Sequence, residues 1–119
     1  MGLFNVEVSI SNFERPERRI TLDALVNENR FFSILPLSML RDLEVTPSGQ
    51  QNIRFADGVV RSMNIGLVRV QIDDREAPTQ VMFGEEDAQP LLGRLTLNGL
   101  MLVVDPVEER LAPMDIINA

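Results

Sequence analysis

A chain of 119 residues with 45% hydrophobic and 24% charged content suits one domain, 1–119, and leaves no room for a second sizeable core. Its net charge of −7 repels phosphate backbones and anionic lipid, so neither nucleic acid nor a membrane surface is expected as a partner. The chain has no Cys, His, Tyr or Trp and carries Arg at all 11 basic positions, which excludes disulfides, Cys/His zinc sites, Ser-His triads, Schiff-base lysines and P-loops.

Proton transfer near neutral pH would then fall to Asp or Glu with a shifted pKa. The enzyme classes left open are aspartic proteases, carboxylate glycosidases and oxygen-ligated metal sites. The opening MGLFNVEVSI has no basic region, so no secretory signal is expected. Met1-Gly2 would suit myristoylation only with Ser or Thr where Val6 stands. No apolar run reaches bilayer length. The expectation is a cytoplasmic protein with no cofactor.

Val6, Val8 and Ile10 share one face of a first strand that Ser11-Asn12 end. Glu14–Arg19 (ERPERR) reads as a solvated connection, and Arg19–Val26 as the second strand. Asn27, Glu28, Asn29 and Arg30 then interrupt an apolar course that resumes at Phe31, Phe32 and Ile34. Pro36 opens a short helix on which Leu37, Leu40 and Leu43 fall at helical spacing. A strand beginning at Ile53 and Phe55 runs into Ala56-Asp57-Gly58, the strongest short hairpin signal in the chain. Val59–Ile72 reads as a long strand with a bulge or bend at Gly66. Asp73–Glu76 reads as a polar turn, Thr79–Phe83 as a short strand and Pro90–Gly93 as a tight apolar segment. Leu95–Leu100 reads as a short helix or turn, Met101–Val104 as a buried strand, and Arg110–Pro113 as a last pairing segment. The chain is all-β with one or two short helices, hence a closed barrel or a sandwich.

The order of these pieces resembles the single-domain retropepsin-like aspartic proteases, and more narrowly their small prokaryotic relatives. An apolar strand enters a short loop; S-I-L-P and a helix follow, then A-D-G on a hairpin, P-L-L-G and L-V-V-D-P. The resemblance covers nearly the whole chain and implies a closed acid-protease barrel. It also implies a two-fold homodimer in which each protomer offers one Asp-Thr/Ser-Gly loop and a flap closes over peptide. Carried over residue by residue, Asn27 stands at the Asp position, Glu28 at Thr/Ser, Asn29 at Gly and Arg30 at the small residue after it. Ala56, Asp57 and Gly58 fall on the flap, and Leu91, Leu92 and Gly93 on the segment behind the active-site loop. Asp105-Pro106 matches a late structural V-D-P.

An amide is no general base at any useful pH, so no catalytic residue is intact. Glu28 and Arg30 also put charge where the family keeps small residues near the two-fold axis; two facing Glu28 side chains would repel unless Arg30 neutralises them or the loop is displaced. The expected protein is therefore an inactive homologue, a dimeric binding or structural module for a peptide or protein ligand. Two rivals stand beside it. One is an active endopeptidase using a displaced carboxylate, Glu28 or Asp23; the other is an unrelated β-barrel binding domain. By itself, Asn27–Arg30 also reads as an ordinary polar turn. Asp73-Asp74 and Glu85-Glu86-Asp87 lack the spacing of a calcium loop and read as surface, so no metal is expected. Glu14, Glu17, Glu108 and Glu109 read as surface too. Met1–Val6 and Ala112–Ala119 are expected at the dimer interface, with apolar Pro113, Met114, Ile116 and Ile117 buried there.

Overall fold

The alternating apolar positions of the first two strands converge on one interior. The computed structural model describes residues 3–119; Met1 and Gly2, and with them the Met-Gly reading and the start of the Met1–Val6 segment, lie outside the described residues. β1 (Phe4–Asn12) and β2 (Arg19–Val26) pair antiparallel from Phe4↔Val26 to Ser11↔Arg19. Every second side chain turns inward, so Val8, Ile10, Ala24 and Val26 are at most 2% exposed. After the loop, β3 (Ser33–Leu35) leads through extended Pro36 into α1 (Leu37–Asp42). Leu40 and Leu43 bury into the core while Leu37, at the helix start, stays at the surface.

β4 (Gly49–Arg54) and β5 (Val60–Ile72) form a hairpin, and β5 continues into a second one with β6 (Arg75–Phe83). β7 (Leu91–Leu92), α2 (Arg94–Gly99), β8 (Leu102–Asp105) and β9 (Arg110–Pro113) complete the chain. β1 pairs with β5 as well as with β2, which closes the sheet in the order β1-β2-β7-β3-β6-β5 and leaves β4 outside the ring. Two of the joins are parallel, β2 with β7 and β3 with β6, and β7 runs antiparallel to β3 between them. The expected closed barrel with two short helices is what the chain forms. Burying a Val, Leu or Ile contributes about 1.5–3 kcal/mol relative to exposure. Fully buried Ile10, Leu35, Leu40, Leu92, Val68 and Val81 therefore anchor the fold.

The charged connection after β1 is exposed as expected, but it is also latched to α1. Asn12, 8% exposed, donates from Nδ2 to the Leu43 and Glu44 carbonyls and accepts from the Glu14 and Arg15 N–H groups. Arg15 and Arg18 both pair with Glu44, at 2.9 and 2.7 Å.

Three sequence expectations change. Gly66 is no bulge: it keeps regular register opposite Val81. A Cβ there would come within 2.7 Å of the Phe83 ring, so the glycine makes room for an aromatic. Met101–Val104 is not a buried strand; Met101 is 53% and Val103 43% exposed, while Leu102 is buried and Val104 and Leu111 pack part-buried against the core from the separate β8–β9 ribbon. β6 starts at Arg75 rather than Thr79, with Asp73-Asp74 alone forming the turn. Ile116 and Ile117, expected at a dimer interface, are exposed in the single chain.

Candidate functional site

The parallel joins bring four distant stretches to one end of the barrel. β2 delivers Asn27, whose N–H donates to the Leu92 carbonyl (3.0 Å) and so extends the β2–β7 ladder into the loop. The Asn27 carbonyl then accepts the Arg30 N–H, and its side-chain Oδ1 accepts the Asn29 N–H, each at 3.1 Å. The local form is a polar turn held by its first asparagine, at the position where the resemblance puts a catalytic loop. Its geometry is that of the ordinary polar turn which the sequence also allowed.

Behind the loop, α2 starts on the loop's own carbonyls. The Arg94 N–H donates to Arg30 O (2.7 Å) and the Leu95 N–H to Phe31 O (3.0 Å), so two unpartnered first-turn donors are satisfied without a side-chain cap. This contact demands glycine before it. A Cβ on Gly93 would sit 2.5 Å from the Phe32 carbonyl oxygen and 2.6 Å from its carbon, both backbone atoms that cannot step aside. Leu91 and Leu92 lie between β2 and β3, opposite Leu25, Val26 and Ile34. The expected support segment thus lies directly behind the loop.

A buried hydroxyl chain joins the same elements. Ser33 Oγ accepts the Gly93 N–H at 3.0 Å and bonds Thr96 Oγ1 at 2.5 Å, and Thr96 in turn meets Thr79 Oγ1 at 3.0 Å. All three residues are at most 6% exposed. Sequence reading missed them because Ser and Thr on strands and helices carry no periodic signal. Their one mark is that they hold inward positions among apolar neighbours.

The β4–β5 hairpin stands over the loop. Its turn is closed by the Gly58 N–H on Phe55 O and by the Val59 N–H on Asp57 Oδ1, both 2.9 Å, with Gly58 at φ +83°. Arg61 pairs with Asp57 at 3.1 Å and lies 4.8 Å over the Phe55 ring. Between loop and hairpin lies a cleft of about 220 Å³. Asn29, Arg30 and Phe31 line one side, and Ile53, Arg54 and Ala56 the other. The structure therefore brings together Asn29 and Arg30 of the loop and Ala56 of the hairpin, three of the residues singled out in the sequence. Asp57 and Gly58 hold the hairpin tip without lining the cleft.

Glu28 turns away from this cleft. It lines a smaller pocket of about 100 Å³ with Leu3, Phe4, Val104 and Pro106, and its carbonyl accepts a 3.3 Å bond from Arg94, whose guanidinium lies 5.6 Å over Phe31. Asp23 is exposed on β2 opposite Glu7, outside both cavities. Asp105 accepts the Val107 and Glu108 N–H groups and so shapes the β8–β9 turn. Among the described residues no cluster of three or more acidic side chains is arranged to hold a metal ion, and Asp73-Asp74 and Glu85-Glu86-Asp87 are exposed. No helix among them is long and apolar enough to cross a membrane.

A closed barrel with parallel joins behind a loop, and a hairpin over it, defines the retropepsin-like fold. Comparison with solved structures bears this out. The chain is similar to the EIAV protease complexed with the inhibitor HBY-793, at TM-score 0.64 and 18% identity over 83% of this chain and 88% of that one. It is also similar to the simian foamy virus (mac) protease, at TM-score 0.57 and 16% identity over 82% of this chain and 96% of that one. No protein-family model and no curated protein matches the sequence.

Proposed function

We propose that this chain is a retropepsin-fold protein that holds an extended peptide in the cleft without cleaving it and works as a homodimer. The observation that carries the reading is Asn27. By the order of motifs it matches the position at which the resembled family carries its catalytic carboxylate, and its side-chain oxygen accepts the Asn29 N–H. A neutral amide cannot take a proton from an attacking water, and in a two-fold dimer both copies lack the acid at once.

Peptide binding is supported by the cleft itself and by β4, which among the described residues pairs only with β5 and leaves its other edge open to an added strand. Dimerisation is supported by apolar side chains left exposed near both ends of the described chain, including Leu3 at 53% and Ile117 at 58%. Incubation with unfolded protein substrates at acidic pH tests the catalytic part: no cleavage is expected. The rival reading, an active homodimeric endopeptidase using Glu28, would show pepstatin-sensitive cleavage that Glu28→Gln abolishes.

A further inference from the structure

The cleft is opposite in sign to the chain that forms it. The protein carries −7 overall, yet among the described residues the only charged side chains lining the cleft are Arg30 from the loop and Arg54 from the hairpin. Neither takes part in any ion pair among the described residues. Arg54 spends one N–H on the Gly58 carbonyl and has further donors free. Arg61, on the same hairpin, is by contrast neutralised by Asp57. Apart from Asn29, the remaining walls are apolar, chiefly Phe31, Phe32, Ile34, Ile53 and Met82.

We infer that this cleft selects an extended peptide carrying a carboxylate side chain between apolar ones, because an arginine without an ion-pair partner among the described residues lines it on each side. The inference rests on the peptide-binding reading above and names the ligand's charge. A guanidinium recognises a carboxylate by two parallel N–H bonds. A partly dewetted cleft strengthens that pairing over its value in bulk water. The apolar walls then take up the flanking side chains, which gives the ligand its alternation of acid and apolar residues.

The test uses the full chain and three fluorescein-labelled eight-residue peptides of leucine and alanine, with a central glutamate, glutamine or lysine, read by anisotropy at neutral pH. The glutamate peptide should bind at least about tenfold tighter than the glutamine one, and the lysine peptide should be weakest. Raised salt should narrow the gap. Arg30→Gln and Arg54→Gln should each reduce the preference severalfold. Arg19→Gln, which removes the same charge from a residue bonded to Gln71 away from the cleft, should leave it intact. Equal binding of the glutamate and glutamine peptides, or a preference that survives in both cleft variants, overturns this inference while the peptide-cleft reading stands. Failure of all three peptides to bind overturns both.

Discussion

Gly93 and Gly49 both have negative φ, so neither is needed for backbone freedom, and space alone separates them. A Cβ at Gly93 meets the Phe32 backbone at 2.5 Å, whereas nothing lies within 4 Å of one at Gly49. Gly93→Ala should therefore lower stability in urea unfolding by about 3 kcal/mol, because loop and α2 must part to admit a methyl group. Gly49→Ala should stay within about 0.5 kcal/mol of the parent. At Ser33 the cost has a different origin. Ser33→Ala removes the acceptor of the buried Gly93 N–H and one partner of Thr96. The same urea series should show a loss of about 1–3 kcal/mol, the penalty for an unsatisfied buried donor. The importance of Leu91-Leu92-Gly93 was legible in the sequence as a motif, but the reason for its glycine was not, since the carbonyl it must clear lies far off along the chain. The Ser33–Thr96–Thr79 chain was not legible at all, because contacts between distant hydroxyls leave no local pattern.

The elements divide into a well-buried ring and a projecting hairpin. β1 and β2 alternate between buried and exposed positions, while β4 buries no residue fully and Val59 and Val60 are 46% and 48% exposed. Local opening should follow that difference. In amide hydrogen exchange, Gln50–Arg54 should exchange well ahead of Val8–Ile10 and Ala24–Val26, and a bound peptide should slow the hairpin more than the ring. Equal protection of hairpin and ring without ligand would remove the basis for treating the hairpin as a mobile cover. Both elements were legible in the sequence, the ring strands by alternation and the hairpin turn by Asp57-Gly58. Other elements were hidden for identifiable reasons. Pro78 obscured the first half of β6, although it sits where β3 does not reach and only β5 pairs with it. β7 has only two residues, too few to show a period. β8 looked buried because Leu102, Val103 and Val104 are all apolar, but a two-stranded ribbon has an outer face wherever it packs.

At the scale of the whole molecule, a closed ring leaves no barrel edge unpaired, so its exposed apolar surface calls for a different explanation. Leu3, Val103, Ile116 and Ile117 stay exposed, and Leu3, Phe4, Val104 and Pro106 frame a pocket that Glu28 shares. A second copy of the chain would cover this surface in the proposed homodimer. Sedimentation of the full chain should then give twice the protomer mass at micromolar concentration, and Leu3→Asp should shift the equilibrium toward monomer. Glu28 should act against that assembly. It lies on the pocket side of the loop, whereas Arg30 lines the cleft on the other side, so Arg30 of the same chain is poorly placed to neutralise it. If two copies meet at this surface, their Glu28 carboxylates approach and repel, at a cost of about 1 kcal/mol for charges a few ångströms apart in a largely solvated setting. Glu28→Gln should accordingly tighten the dimer by about fivefold at low ionic strength, with the gain fading as salt screens the parent's repulsion. A looser dimer in the same sedimentation series would mean that Glu28 meets a cation across the interface. That outcome would reverse the role assigned here to the charge, which would then stabilise the pairing of the two loops.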